Sequence, residues 1–208
     1  MQMLNAAELR LHEHGHDDRE EISAFIRGKF HQAYGATLSH LMPRLFSLLD
    51  ERGRIVAAFG LREALRGRLF METYLDHPVE HAIAQHAGWP VSRNSIMEVG
   101  NLATSPGGAR AMIAALTCYL YDHGFEWIVF TGVAALRAAF HRLGMRPFML
   151  AEAEPTRLAE SERLAWGRYF GARPLVMGGH VPHGHRVLMR THARRISAAA
   201  RHVSVTAV

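Results

Sequence analysis

The chain has 208 residues, of which 49% are apolar and 21% charged; these figures fit one domain with a sizeable core and exclude wholesale disorder. Its formal charge of +5, with fifteen histidines besides and arginine far ahead of lysine, fits an anionic partner: nucleic acid, lipid, a phosphorylated cofactor or an acidic carrier protein. A single cysteine excludes an internal disulfide framework. No apolar run reaches membrane-spanning length, and the opening MQMLNAAELRLHEHGHDD lacks a signal-peptide core, so a soluble cytoplasmic protein is expected.

In chain order, Glu8 to His14 alternates Leu9 and Leu11 with polar residues, as a half-buried strand does. Asp17 and Asp18 are placed to cap a following helix, whose stripe Ile22, Phe25, Ile26, Phe30 and Ala33 ends near Gly35. His12, His14 and His16 would share one face of an extended chain. With no carboxylate or cysteine pattern to complete a ligand set, they read as surface histidines, and no metal is expected. Leu45 to Leu49 and Ile55 to Leu61 flank DERGR, a hairpin signal centred on Gly53, and Arg62 continues the second strand. Leu69 to Leu75 fits either a strand or a turn of helix, and Pro78 starts a short helix. Glu72, Tyr74, Asp76 and Glu80 crowd acids and a phenol into nine residues, which fits a solvated helix start or a pocket for an amine.

The stretch from Ile96 to Asp122 organises the rest. An apolar strand (Ile96, Val99, Leu102, Ala103) runs through Ser-Pro-Gly-Gly into a helix with Ala109, Met112, Ile113, Leu116 and Leu120 on one face. Ser105 suits the N-cap and Pro106 the first helical position. Gly107 and Gly108 bring bare backbone to a helix N-terminus, where phosphate is the natural guest and Arg110 adds a full charge; the same glycines also fit a turn shaped by geometry alone. Cys118, mid-helix, reads as a small buried hydrophobe. Glu126 to Gly132 reads as a buried strand, Ala134 to Leu143 as a helix closed by Gly144, and MRPFMLAEAEP as a strand and acidic turn. Leu158 to Phe170 reads as one helix, Leu175 to Met177 as a short closing strand, and the chain from Val187 as a loosely held tail. One domain is expected over residues 1–190, with a basic tail over 191–208. Its sheet is mixed α/β, antiparallel in the front half and parallel in the second. A Rossmann dinucleotide site is disfavoured, because the glycine pair lacks a third glycine and lies halfway down the chain.

The order of elements, with EVGNLATSPGGAR as strand and turn and AALRAAFHRLGMRPF as the following helix and strand, resembles the GNAT (acyl-CoA N-acyltransferase) fold. More specifically, LFMETYLDHPVE, EVGNLAT, EWIVFTG and WGRYF resemble the thermostable hemolysin family, placed near GNAT and autoinducer-synthase folds, over roughly Phe30 to Gly179. The resemblance implies that Leu102, Ala103 and Thr104 pair with the amides of a pantetheine arm. It implies equally that Gly107, Gly108, Ala109 and Arg110 hold the phosphates of acyl-CoA or of an acyl carrier protein. Glu98 falls where these folds often keep a carboxylate base, though it also fits an outward-facing strand acid. Asn101 either orients substrate or bonds a splayed strand. Glu72, Tyr74, Arg62 and Thr131 are the candidate substrate contacts. The tyrosine that many GNAT enzymes use as general acid is replaced by Phe140, so the group protonating the thiolate is unidentified.

The implied activity is N-acyl transfer from a coenzyme A or carrier-protein thioester to a small amine such as an amino acid, with no prosthetic group. The partners expected are the two substrates and, through the basic tail, an acidic carrier protein; neither nucleic acid nor integral membrane association is expected. The alternative is a membrane-active, hemolysin-like protein without acyltransferase activity, against which stands the lack of a long amphipathic or hydrophobic segment.

Overall fold

The computed structural model describes residues 9–15 and 18–191; expectations that fell on Glu8, His16, Asp17 and the tail past residue 191 lie outside them. The strands are β1 (Arg10–His14), β2 (Arg44–Leu49), β3 (Ile55–Glu63), β4 (Ile96–Thr104), β5 (Trp127–Gly132), β6 (Phe148–Glu152) and β7 (Leu175–His180). The helices are α1 (Arg19–Tyr34), α2 (Val79–Ala87), α3 (Ala109–Asp122), α4 (Ala134–Arg142), α5 (Glu160–Ala165) and α6, described over 181–191. Seven strands form one sheet in the order β1-β2-β3-β4-β5-β7-β6, the mixed α/β arrangement expected.

Strand alternation distributes the core. Met97, Val99, Ile128 and Phe130 point to the face covered by α3, α4 and α6, with Met112, Leu116, Leu120 and Phe140 opposite them. Ile96, Trp127 and Val129 point to the other face, under α2 and the 3-10 turn Met71–Thr73. On that side, too, α1 packs Ile22, Ile26 and Phe30 against Leu45, Ala58 and Ala103.

Several expectations need correction. Among the described residues only β4 and β5 pair in parallel; β7 lies between β5 and β6 and is antiparallel to both, because the chain after β6 turns back along the sheet. Leu158 to Phe170 is not one helix. α5 and a 3-10 turn (Tyr169–Ala172) divide it, with Gly167 at φ +55 between them, and another 3-10 turn (Pro155–Arg157) comes just before it. Residues 187–191 belong to α6, with Leu188 buried in the core. Asp18 makes no capping bond to α1, and Ser105 none to α3, which starts at Ala109. His14 is 9% exposed rather than a surface residue, and Asp18 supplies the carboxylate that the histidine tract lacked in sequence.

The feature that shapes the functional region is a bulge in β4. Gly60 pairs with Gly100 and Ala58 with Ala103, so Asn101 and Leu102 together oppose Phe59. Asn101 takes φ 52, a conformation that asparagine tolerates better than most side chains. Its Oδ1 accepts the Met42 amide hydrogen at 2.7 Å, and Met42 packs into the notch that Gly60 and Gly100 leave bare. A Cβ on Gly60 would lie 2.4 Å from Met42 Cβ, whereas the one severe contact of a Cβ on Gly100 would be with the swinging Met42 methyl, also at 2.4 Å, with Cγ at 3.3 Å. Gly60→Ala should therefore lower unfolding stability by about 2 kcal/mol. Gly100→Ala should cost clearly less, as read by urea denaturation of the two variants.

Candidate active site

After the bulge, β4 and β5 part. Their parallel pairing ends at Val99 with Phe130, while Thr131 and Gly132 pair with β7. Gly100, Ala103 and Thr104 pair with β3 on one side, and among the described residues no strand pairs with Gly100 to Thr104 on the other, which leaves backbone donors and acceptors facing the gap. The gap opens into a cavity of about 600 Å³. One wall is Gly100, Asn101, Leu102 and Thr104; the facing wall is Thr131, Val133 and Leu136. Thr37 to Met42 roof it together with Glu162, Ala165, Trp166 and Tyr169. Two main-chain bonds join the halves of this roof, from Thr37 N to Ala165 O at 2.7 Å and from Arg168 N to Tyr34 O at 2.8 Å.

Of the residues singled out from sequence, Arg62, Tyr74, Asn101, Leu102, Thr104, Ala109 and Thr131 line the cavity. Ala103 does not: the bulge turns its side chain under α1. Gly107, Gly108 and Arg110 lie outside the lining, at the turn into α3. There Gly107 takes φ +86, and a Cβ on Gly108 would come within 2.7 Å of Val56 O. The first i to i−4 bond at this end runs from Met112 N to Gly108 O, so the amides of Ala109, Arg110 and Ala111 precede the helical ladder. Arg110 is exposed beside them.

Glu98 and Glu72 part company. Glu98 is fully buried, not an outward-facing acid, on the strand face it shares with Ile96. Its Oε1 accepts the Met71 amide hydrogen at 2.7 Å; its Oε2 has no hydrogen-bond partner and lies 3.9 Å from Arg62 Nε. Burial pushes its pKa up to about 7, against the pull of the Met71 amide and the Arg62 charge. Arg62 and Met71 line the cavity, so Glu98 stands one layer behind its wall. Glu72, expected to touch substrate, does not line the cavity. Its Oε1 accepts from Val79 N and Arg93 Nη1 at 2.9 and 2.7 Å, and its Oε2 from Leu69 N and Arg93 Nη2 at 2.8 and 2.9 Å. Burial raises its pKa, but the Arg93 bonds and the Val79 and Leu69 amides outweigh that and bring it to about 2. Glu72 is the anchor of the segment that carries Met71 and Tyr74.

Sequence reasoning missed the aromatic side of the cavity: Phe30, Tyr34, Phe70, Trp166 and Tyr169. The WGRYF block was the available signal, but reading it as continuous helix hid which way its rings point. Trp166 and Tyr169 lie 4.9 Å apart, Tyr34 and Tyr169 5.1 Å. The Tyr169 hydroxyl donates to Thr131 Oγ1 at 3.0 Å, and burial pushes its pKa up to about 12, so it remains a protonated donor at neutral pH. Phe140 is a core residue stacked on Phe130.

The Glu72 anchor generates a prediction. A carboxyl whose pKa falls on folding adds stability above about pH 4.5 and loses it as pH drops toward 2. Glu72→Ala should cost about 2 kcal/mol at neutral pH, because it leaves the Leu69 and Val79 amides unpaired while Arg93 keeps only its bond to Glu80 and to backbone carbonyls. The gap from wild type should narrow below pH 3, as measured by denaturant melts across pH.

The fold is shared with solved structures at low sequence identity. FeeM, an N-acyl amino acid synthase from uncultured soil microbes, aligns over 84% of this chain and 92% of its own at 13% identity, with a TM-score of 0.53. MesI, a CoA-dependent acyl-homoserine lactone synthase, aligns over 88% and 95% at 14% identity with a TM-score of 0.51. The AHL synthase LasI aligns over 83% and 89% at 9% identity with a TM-score of 0.53. No curated protein matches the chain in sequence. The sequence profile of one family does, over residues 12–185, so the chain belongs to the thermostable hemolysin family, on a mixed α/β fold like that of these synthases.

Proposed function

We propose that this protein is a cytoplasmic N-acyltransferase that moves an acyl group from acyl-CoA or an acyl carrier protein to a small amine such as an amino acid. The observation that carries this reading is the splay of β4 from β5, which sets an unpaired strand edge, an apolar cavity and a buried carboxyl near neutrality side by side. In this reading the amides of the pantetheine arm pair along Gly100 to Thr104. The phosphates sit at the start of α3, near Gly107, Gly108, Ala109 and Arg110. The acyl chain lies against Phe30, Met42 and Trp166.

The amine attacks the thioester carbonyl, a C–N bond forms, and the tetrahedral intermediate expels thiolate as the C–S bond breaks. The amine must shed a proton, and a carboxylate titrating near pH 7 suits that task. Glu98 receives it through a relay past Arg62, because its carboxyl is behind the cavity wall. Tyr169 and Thr131 supply hydroxyls at the β5 side, where the carbonyl oxygen and departing sulfur need donors. The thiolate takes up the proton, which balances the step. Tyr74, Asn101 and Arg62 border the acceptor.

The test is amine-dependent thiol release, with the N-acyl product identified by mass spectrometry. Acyl-CoA and acyl carrier protein donors of rising chain length are offered against pooled amino acids and amines. Activity should rise with pH through about 7, and Glu98→Gln should lower kcat on the order of 100-fold or more. Folded Glu98 keeps its proton between about pH 4.5 and 7 while the unfolded chain releases it, so this residue makes stability fall as pH rises through that window. Wild type should lose more melting temperature than Glu98→Gln between pH 5 and 8. Absence of turnover with either donor, beside lysis of red cells by the protein alone, would overturn the assignment in favour of a membrane-active protein. Among the described residues, no helix is long and apolar enough to cross a membrane.

A further inference from the structure

The edge of the sheet remote from β6 carries a cluster that the acyl-transfer reading does not use. Strand alternation puts His12 and His14 of β1 on one side, and Asp18, ahead of α1, reaches both. His12 Nε2 is 2.9 Å from Asp18 Oδ2, and His14 Nδ1 is 3.3 Å from the same oxygen. The three ligand atoms all lie within 4.8 Å of one another. A tetrahedral ion with bonds of about 2.0 Å asks for ligand atoms roughly 3.3 Å apart. The His14–Asp18 edge already has that length, and the His12–Asp18 edge, at 2.9 Å, needs only a small opening.

The second observation is His14 itself. Its side chain is 6% exposed, and its far nitrogen, Nε2, lies 2.8 Å from Oγ of the fully buried Ser47 on β2. In the tautomer whose Nε2–H donates to that hydroxyl, the Nδ1 lone pair faces Asp18 O at 3.0 Å and Oδ2 at 3.3 Å, and of these three acceptors only Oδ2 has another neighbour, His12 Nε2. A cation there satisfies all three. A buried partner on the outer nitrogen is also what fixes the ring and tautomer of a metal-bound histidine.

We propose that His12, His14 and Asp18 bind a divalent transition-metal ion of the zinc type, fastening edge strand β1 to the start of α1. Two imidazoles and one carboxylate suit zinc, cobalt or nickel better than calcium or magnesium, which prefer all-oxygen sets. The ion's role is structural: α1 packs its other end, Phe30 and Tyr34, into the cavity wall, so the site ties the sheet edge to the helix that borders the cavity.

The test uses the full-length chain without a histidine tag, stripped with chelator, and titrated with Zn²⁺ by calorimetry and with Co²⁺ by visible absorption. One equivalent should bind, with Co²⁺ d–d bands of a low-coordinate nitrogen and oxygen site and a rise in melting temperature. His12→Ala and Asp18→Asn, at positions half open to solvent, should each weaken binding at least tenfold while the metal-free proteins keep the wild-type circular dichroism. Ser47→Ala should weaken it less, and His81→Ala, exposed on α2, should leave it unchanged. Wild type without a stoichiometric site, or binding that survives both ligand variants, would overturn the proposal. Neither outcome bears on acyl transfer, which is assayed separately.

Discussion

Everything that distinguishes this molecule from a plain mixed sheet depends on the hydrogen bond from the Met42 amide to Asn101 Oδ1. It holds Asn101 in a left-handed conformation, and that single residue offsets the register of β4 against β3. The offset turns Ala103 under α1 and Leu102 toward α3, and past it β4 no longer runs beside β5. The same bond brings the 37–42 segment over the gap as a roof. Bulge, gap and roof are one construction, built on an asparagine, two facing glycines and the methionine between them.

Two buried carboxyls show how environment divides like groups. Glu72 accepts four hydrogen bonds and stays ionised; Glu98 accepts one and is held near neutrality by the apolar layer around it. They are neighbours through one short segment, since Met71, bonded to Glu98, adjoins Glu72 in sequence. The strongly paired acid makes that segment rigid. The weakly paired one is left with an oxygen that, among the described residues, has no hydrogen-bond partner and only the Arg62 cation 3.9 Å away, the state in which a carboxyl can exchange a proton.

Much of the fold was legible because it rests on local rules. The DERGR turn became the β2–β3 hairpin, Gly35 and Gly144 closed their helices at positive φ, and the apolar face of α3 is the buried one. The family blocks, too, could be read directly from the residues. What stayed hidden is non-local. β7 lies beside β5 instead of at the sheet edge because of tertiary pairing that no spacing in the chain reveals. Glu72 looked like a substrate ligand because Arg93, its partner 21 residues on, carries no mark of its destination. Tyr169 went unnoticed because Gly167 breaks the helix that periodicity drew through it. His14 passed for a surface residue because Ser47, which covers it, comes 33 residues later.

The roof has a kinetic consequence. Its two halves, from opposite ends of the sequence, meet backbone to backbone: besides the two main-chain bonds, a Cβ on Gly167 would come within 2.5 Å of Tyr34 O. Contact that close leaves no seam for a bulky molecule to pass between them. Entry and exit then run through the gap between β4 and β5, so donor and product use the same door and one must leave before the next arrives.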